Sequence, residues 1–216
     1  MPATLADREH LASFLMTLRS DEGVAGRVMA AVEAVPRRLF VPADMADPFA
    51  DKASPIECGQ TMPSARTAVR LVAAMKIQAE NRVLEIGTGS GYVTALLAKL
   101  GLQVTTIDRY RTLLTKATER LKACGLHNVT YVQDDGRKGY PDLAPFDRIV
   151  VHGSFETLPK AFVDQMASQG ILVVALGAPG ERQRVVRHQK LGSRFEEEAL
   201  FSVRLQPLEA GLATFL

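Results

Sequence analysis

From residue 82 onward, short apolar segments alternate with longer segments whose apolar residues recur at helical spacing. The short segments are rich in Val and Ile and have the length of buried strands. They predict strands at residues 82–86, 103–107, 129–133, 146–151 and 170–176. The longer segments predict helices at residues 92–100, 109–125 and 158–168. Alternating strands and helices are typical of a doubly wound, mostly parallel sheet of the α/β class.

Two helices are predicted ahead of this sheet. Residues 4–18 carry an apolar stripe at helical spacing, formed by Leu5, Leu11, Phe14, Leu15 and Leu18. Ser20 is the predicted N-cap of a second helix, which ends before Pro36. Asp21 and Glu22 in its first turn favour the helix dipole.

The segment between the second helix and the sheet is irregular. Residues 36–42 have a proline at each end and are predicted to be extended. Residues 43–63 show no sustained periodicity and predict a long loop, and a loop of this length inside a compact domain is usually functional. Ser64 is the predicted N-cap of the helix that follows.

The C-terminal part predicts an antiparallel hairpin that closes one edge of the sheet. Its strands are residues 182–190 and 195–208, joined by a turn at 191–193. The first strand alternates valines with a basic run made of Arg182, Arg184, Arg187, His188 and Lys190. Such a run is either a solvated strand face or a nucleic-acid patch, and we expect the solvated face.

Composition narrows the class of protein. The 216 residues carry 26 basic and 24 acidic side chains, and a net charge of +2 argues against a nucleic-acid-binding protein. The N-terminus is charged where a signal peptide is apolar, and the longest apolar run is too short to span a bilayer. Cys58 and Cys124 match no metal spacing and indicate free thiols in a reducing cytoplasm, although Cys58 beside the Gly-Gln-Thr segment has a catalytic interpretation as well.

We therefore predict a cytoplasmic protein whose residues 1–216 form a single domain. Its predicted parts are N-terminal helices and a loop at 1–63, an α/β core at 64–180 and a C-terminal hairpin at 181–216. The sequence does not give an oligomeric state.

A glycine-rich turn joins the first predicted strand to the helix at 92–100. Residues 83–92 read VLEIGTGSGY, a Gly-x-Gly-x-Gly spacing that is one residue shorter than the dinucleotide-binding Gly-x-Gly-x-x-Gly. Such a turn presents backbone N–H groups and a helix N-terminus to a ligand. Glu85, two residues before the first glycine, adds a carboxylate that repels a pyrophosphate and attracts a cation. S-adenosylmethionine, which carries an ammonium and a sulfonium, fits this pattern, although a glycine turn also occurs as a simple connector.

Acidic residues follow the next two predicted strands. Asp108 comes about 20 residues after the glycine turn, where a βαβ unit places an acid that binds ribose hydroxyls. The alternative role of Asp108 is an ordinary helix N-cap. Asp134 and Asp135 follow the third strand, where a carboxylate either accepts a hydrogen bond from an adenine amino group or forms a turn. The predicted cofactor-binding residues are Glu85, Gly87, Thr88, Gly89, Ser90, Gly91, Asp108, Arg109, Asp135 and Gly136.

His152 follows the fourth predicted strand, where a methyl acceptor meets the cofactor. It is either a base for that acceptor or a satisfied histidine at a strand end. A carboxylate acceptor, with a pKa of about 4, needs no base, whereas a hydroxyl acceptor needs a base or a metal ion. We find no clear metal-binding cluster in the sequence and predict no metal site. The sequence thus favours a carboxylate acceptor, with His152 as the one feature against it.

Five segments combine into a pattern that is specific to one enzyme family. They are AVPRRLFVP at 34–42, ASPIECGQT at 53–61, VLEIGTGSGY at 83–92, DDGRKGYPDLAPFDRIVV at 134–151 and LFSVRLQPL at 200–208. Together they resemble the protein-L-isoaspartate O-methyltransferases over nearly the whole chain. The resemblance implies a Rossmann-like class I methyltransferase fold and transfer of a methyl group from S-adenosylmethionine to the α-carboxylate of L-isoaspartyl residues in damaged proteins. It also implies that the cofactor is held by Glu85, the glycine turn, Asp108 and the Asp135–Gly136 pair, under a loop around Gln60 and Thr61.

Two departures from the family pattern lie on the substrate side. In the family, Gly-Gln-Thr is usually followed by Ile-Ser, and that serine is its active-site hydroxyl, whereas this chain has Met62 and Pro63 with Ser64 one place later. Ser64 either replaces that serine or only caps the next helix, and we favour the cap. Residues 152–156, HGSFE, stand where the family has Thr-Ala-Ala-Ala-Pro. The catalytic candidates are therefore Ser64, Thr61 and His152.

Two alternatives to isoaspartyl methylation remain open from the sequence. One is a diverged methyltransferase with another acceptor, for which His152 serves as base. The other is a protein that binds the cofactor without catalysis.

Overall fold

The computed structural model describes residues 4–21, 23–24 and 26–213. The helices are α1 (Leu5–Leu18), α2 (Gly26–Ala34), α3 (Ala65–Ala74), α4 (Tyr92–Leu100), α5 (Arg111–Ala123) and α6 (Lys160–Asp164). The strands are β1 (Ser54–Pro55), β2 (Thr61–Met62), β3 (Arg82–Ile86), β4 (Gln103–Asp108), β5 (Val129–Gln133), β6 (Phe146–Phe155), β7 (Met166–Leu176), β8 (Gln183–Leu191) and β9 (Arg194–Val203).

Seven of the strands form one sheet in the order β5-β4-β3-β6-β7-β8-β9. The strands from β3 to β7 run parallel, whereas β8 and β9 form an antiparallel hairpin at the edge. The mostly parallel sheet and the C-terminal hairpin are thus confirmed. The chain leaves β3 toward β4 on one side and reaches β6 on the other, so the strand order reverses between β3 and β6. In open α/β sheets, ligands bind in the crevice at such a reversal.

Both faces of the central strands are buried, which explains why these strands read as continuous apolar runs. Val83 and Val150 belong to a core shared with α2, α3 and α4. Leu84 and Ile149 point to the opposite face and share a second core with Phe162 of α6. The two cores hold β3 and β6 rigidly on either side of the crevice.

Among the described residues, no helix has both the length and the apolar character needed to cross a bilayer.

The predicted helix at 158–168 is too long. α6 ends at Asp164, and the chain enters β7 at Met166, which pairs with Phe146. The Gln165 side chain accepts a hydrogen bond from the Tyr140 N–H at 2.7 Å and donates one to the Lys138 carbonyl at 2.7 Å. These long-range bonds and the strand pairing outweigh the helical pattern of the segment.

The N-terminal predictions were partly wrong. α1 begins as expected, but Leu5 is 73% exposed and lies off the buried stripe. Ser20 lies in a turn, where its hydroxyl donates to the Thr17 carbonyl, and α2 begins only at Gly26. Glu22 lies outside the described residues. Residues 36–42 contain a 3₁₀ helix, Arg37–Leu39, instead of an extended segment, because the buried Arg37 side chain bonds to backbone carbonyls of the following loop.

One member of the basic run in β8 is not solvated. His188 is only 5% exposed, because a bulge between Val185 and Val186 shifts the inward alternation of the strand by one residue. Burial lowers the pKa of the His188 imidazole. Arg182 and Arg184 are exposed as predicted, and Arg187 pairs with Glu198 of β9.

Candidate active site

A cavity of about 300 Å³ opens at the strand reversal between β3 and β6. Most of its wall comes from four stretches that are distant in sequence, with further contributions from Gly136, His152 and the helices α3, α4 and α5. The four stretches are residues 56–63, the glycine turn at 86–90, the end of β4 at 107–110 and a C-terminal segment at 205–209. A cavity of this size lies at the lower end of the range for small-molecule sites.

The glycine turn has the backbone shape that its sequence requires. Gly87, Gly89 and Gly91 have φ angles of 93°, 53° and 86°, which side chains other than glycine rarely adopt. A Cβ on Gly87 would lie 3.2 Å from the His152 Cβ. Gly91 does not line the cavity; it is the N-cap of α4, and a Cβ there would lie 2.9 Å from Ala117 of α5. The N–H groups of Gly87 and Thr88 donate to the Ile107 carbonyl, and the first turn of α4 reaches the cavity through Tyr92 and Val93.

Asp108 lies on the cavity wall at the end of β4. Its carboxylate accepts hydrogen bonds at 3.0 Å from the Gly89 N–H and from the Tyr110 N–H. The N-cap of α5 is Tyr110, so the alternative that Asp108 is that N-cap is wrong. The side chain is only 7% exposed, and this burial raises the pKa of the Asp108 carboxyl. A buried carboxylate on the cavity wall is suited to bind hydroxyl donors.

Glu85 is placed differently from the prediction. Its carboxylate has no exposed surface and does not line the cavity, so it does not point into the site as we expected from the sequence. One oxygen accepts hydrogen bonds from the hydroxyls of Thr94 and Thr106, at 2.5 and 2.7 Å. The other oxygen lies 3.0 Å from His152 Nε2. The acid therefore lies beneath the glycine turn.

His152 lines the cavity, but it does not follow a strand end. β6 continues to Phe155, while the pairing of β6 with β3 ends at Val151. His152 is thus the first residue of β6 beyond the split between the two strands. Because its Nε2 is bonded to Glu85, that nitrogen is not free to act as a base.

The loop before α3 supplies the substrate side of the cavity. β1 and β2 pair as a short antiparallel ladder, which places Thr61, Met62 and Pro63 on the cavity wall. The Gln60 amide donates to the Tyr110 hydroxyl at 3.3 Å and joins this loop to the β4 side.

Ser64 lies outside the cavity wall and is 6% exposed. Its hydroxyl accepts a hydrogen bond from the Thr67 N–H at 3.2 Å and caps α3. The prediction of a cap is confirmed, and a catalytic role for Ser64 stays a prediction. A serine bound to the first turn of a helix is held away from the cavity.

Two predicted adenine-side residues differ in position. Gly136 lines the cavity, and a Cβ there would lie 2.4 Å from a methyl group of Ile86, so only glycine fits. Asp135 lies outside the wall, where its carboxylate accepts from the N–H groups of Gly211 at 2.8 Å and Arg137 at 3.1 Å. Its contact with an adenine remains a prediction.

A C-terminal segment at 204–213, here called the strap, crosses the carboxyl ends of the sheet strands and was missed from the sequence. Near its start, Gln206 and Leu208 form backbone hydrogen bonds with Ser154 of β6, at 3.0 and 3.4 Å. Further on, Glu209 pairs with Arg109, whose place on the cavity wall agrees with its predicted location. The strap covers the cavity. In the sequence, its first residues appeared only as the apolar end of the predicted second strand of the hairpin.

Arg37 and Tyr92 were also missed. Arg37 is 1% exposed, and its guanidinium donates to the carbonyls of Pro48 at 2.7 Å and Pro63 at 3.2 Å. It also lies 4.3 Å from the centre of the Tyr92 ring, which lines the cavity. Arg37 thus ties two points of the loop, Pro48 and Pro63, to one place beside the Tyr92 ring. Two arginines after a proline form no sequence pattern that predicts a buried guanidinium.

Among the described residues, no group of three or more His, Cys, Asp or Glu side chains is arranged to hold a metal ion. Cys58 and Cys124 are free thiols, and burial raises the pKa of both.

Comparisons of the sequence with known proteins find one family across most of the chain. The sequence model of the protein-L-isoaspartate(D-aspartate) O-methyltransferase (PCMT) family matches residues 10–212. A protein-L-isoaspartate O-methyltransferase of Azorhizobium caulinodans is 42% identical over 213 residues, which cover 98% of each chain. Its counterpart in Xanthobacter autotrophicus is 44% identical over 190 residues, covering 88% of this chain and 87% of the relative.

Two solved structures share the fold. A Plasmodium falciparum chain described as a protein-L-isoaspartate O-methyltransferase, solved with S-adenosyl-L-homocysteine, superposes with a TM-score of 0.76 at 21% identity. The match covers 93% of this chain and 98% of that one. A second protein-L-isoaspartate O-methyltransferase structure gives a TM-score of 0.80 at 21% identity, covering 93% of this chain and 66% of that one.

Proposed function

This chain belongs to the protein-L-isoaspartate O-methyltransferase family, and we propose that it methylates the α-carboxylate of L-isoaspartyl residues with S-adenosylmethionine. The observation that carries the proposal is the cavity at the β3–β6 reversal, which joins the glycine turn and Asp108 to the Gln60–Thr61 loop. The resulting ester collapses to a succinimide that can reopen as normal aspartate, so the activity is a protein repair.

The residues on the cavity wall fit S-adenosylmethionine. The first turn of α4, where Tyr92 and Val93 line the cavity, suits the carboxylate of its methionine part. The buried Asp108 carboxylate suits the ribose hydroxyls, and Gly136 lets a methyl group of Ile86 pack closely against this part of the wall. When bound, the cofactor supplies a methyl group on a positively charged sulfur.

The chain's own task in the reaction is positioning. The attacking carboxylate, with a pKa of about 4, is ionised at neutral pH and needs no proton transfer. Holding it in line with the methyl group and excluding water can lower the barrier by several kcal/mol. Arg37 fixes the loop that carries Thr61, and the strap closes the opposite side. Thr61 offers the one loop hydroxyl on the described cavity wall between residues 60 and 63, and we assign it to the substrate.

The partners are isoaspartyl-containing peptides and proteins, without nucleic acid or membrane, and the compartment is the cytoplasm. The chain acts as one domain from residue 1 to 216, which is supported by a cavity wall drawn from its N-terminal loop, its α/β core and its C-terminal strap.

The test uses tritiated S-adenosylmethionine with an isoaspartyl peptide, its normal aspartyl twin and a buffer blank. We expect base-labile label on the isoaspartyl peptide alone. Label on both peptides would contradict the substrate assignment, and cofactor binding without any transfer would contradict catalysis. Thr61→Val serves as a matched variant, because it keeps the side-chain shape and removes the hydroxyl. We expect it to lower kcat/KM for the peptide while the Kd of the cofactor stays unchanged.

A further inference from the structure

Glu85 is a buried carboxylate with a histidine, and no described lysine or arginine, as its ion-pair partner. Its side chain has no exposed surface, and its described hydrogen-bond donors are the hydroxyls of Thr94 and Thr106 and the Nε2 of His152. Within the described parts of the chain, no lysine or arginine lies within 4.0 Å of this carboxylate. A buried charge that lacks a cation is costly to the fold unless another positive group compensates for it.

The contacts of Glu85 bear on the proton of His152. One Glu85 oxygen accepts from two hydroxyls, and opposite an ionised carboxylate the Nε2 that lies 3.0 Å from the other oxygen must carry a hydrogen. The other ring nitrogen, Nδ1, is buried and has no partner among the residues that the structure describes. A second hydrogen on Nδ1 would be a buried, unpaired donor on a cation, which is the more expensive arrangement. With a single hydrogen on the ring, at Nε2, the Glu85–His152 pair would carry one negative charge.

This charge lies directly beneath the cofactor cavity. His152 lines the cavity, and its Cβ lies 3.2 Å from the position of a Cβ on Gly87. Thr106, which donates to Glu85, also lies 2.6 Å from the hydroxyl of Thr88 on the cavity wall. Because the space between is filled by protein, the charge is screened less than on a surface.

We propose that His152 is a positioning residue for the methyl transfer: its Nε2–H holds the Glu85 carboxylate beneath the glycine turn as an anion without a counter-cation. The negative charge beneath the cavity then favours binding of the positively charged sulfonium cofactor over binding of the product, whose sulfur is a neutral thioether. The inference rests on the proposed use of S-adenosylmethionine at this cavity. It gives His152 a role other than that of a base, and it explains why an imidazole stands at the split between β3 and β6.

The test compares two ligands that differ by the sulfonium methyl group and its charge. Calorimetry gives the Kd of S-adenosylmethionine and of S-adenosylhomocysteine for the wild type and each variant, and the quantity of interest is their ratio. Glu85→Gln keeps the shape and removes the charge. We expect it to shift the ratio toward the homocysteine product by about tenfold, the order expected for one charge acting across roughly 10 Å at an effective dielectric constant near 20.

Two substitutions at His152 separate charge from packing. His152→Lys places a cation against Glu85, and we expect the same shift in the ratio as for Glu85→Gln. His152→Gln carries a neutral N–H₂ donor at the place of Nε2, and we expect it to retain the wild-type ratio. A purely structural role would change both affinities together and leave the ratio unmoved in all three variants, which would overturn the proposal.

Thermal unfolding of the ligand-free protein gives a second readout. Glu85→Gln removes an uncompensated buried charge, so we expect its Tm to rise above that of the wild type. A lower Tm together with an unchanged ligand ratio would overturn the assignment of a net charge. Methyl transfer to the isoaspartyl peptide is measured in parallel. If the wild type transfers the methyl group but the ratio is insensitive to all variants, the role of His152 is refuted and the proposed function stands.

Discussion

Replacing Asp108 by Asn tests the cofactor side of the cavity with little change in side-chain shape. In the structure, one carboxylate oxygen accepts from the Gly89 N–H and the other from the Tyr110 N–H, both at 3.0 Å. An amide offers a single oxygen, so one of these N–H groups loses its acceptor. For the same reason, one of two ribose hydroxyls loses its acceptor on the cavity wall.

The size of the effect follows from the charge and burial of this group. A hydrogen bond to a charged partner contributes roughly 1.5–3 kcal/mol. Since Asp108 is only 7% exposed, water does not replace the lost acceptor. We therefore expect the Kd of the cofactor to rise by about 10-fold to 150-fold in Asp108→Asn.

Calorimetric titration with S-adenosylhomocysteine measures this change without turnover. The matched control is Asp134→Asn, which removes one negative charge from an exposed residue after the neighbouring strand. We expect the control to bind as the wild type does. Unchanged affinity in Asp108→Asn would refute the assignment of Asp108 to the ribose, and equal weakening in both variants would attribute the effect to net charge.

Three further predictions concern stability. Gly91→Ala should lower the free energy of unfolding in urea by about 2–5 kcal/mol, because the residue has a positive φ and its new Cβ would clash with α5. The control Gly125→Ala also has a positive φ but meets open space, so it should lower that free energy by about 1–2 kcal/mol. Equal losses in the two variants would contradict the clash. Ser64→Ala removes the cap of α3, so it should lower the free energy of unfolding by about 1 kcal/mol and leave kcat unchanged. A large fall in kcat at unchanged stability would instead support a catalytic role for Ser64. The hydrogen bond from Arg38 holds the pKa of the Asp7 carboxyl at about 2, below its usual 3.8. The stability that the ionised Asp7 adds above about pH 4 is therefore lost as the pH falls toward 2. If the unfolding free energy of an Asp7→Asn variant falls just as steeply over this pH range, this assignment is contradicted.

The central sheet could be predicted because its local pattern and its tertiary role agree. Residues 82–86 and 92–100 have the bounds expected from the sequence, since a buried parallel strand and its crossover helix leave a strong apolar signal. The edge strand at 129–133 also has the expected bounds, although none of its residues is fully buried. The predicted and observed bounds differ where long-range hydrogen bonds decide the local structure. Gln165 ends α6 through its bonds to residues 138 and 140, and no pattern within the segment records them.

The sequence located several residues that line the cavity, but not how deeply each acidic side chain is buried. The spacing of the glycine turn and Asp108 placed both on the cavity wall, as the structure shows. The same spacing could not tell that Glu85 is buried beneath the turn, because that depends on donors from β4, α4 and β6. Residues contributed by the strap were missed for a related reason: a segment that returns across the whole sheet carries no periodic signal of its own.

The cavity wall joins residues that lie as far apart as Ile56 and Glu209, so a ligand held there fastens nearly the whole fold at once. A ligand that binds only the native state stabilises it by about 2.7 kcal/mol at a concentration a hundredfold above Kd. The supply of methyl donor in the cell would then govern the lifetime of the protein itself. When that supply falls, we expect faster turnover of the unliganded enzyme by proteases, and repair capacity would decline together with the metabolite on which it draws.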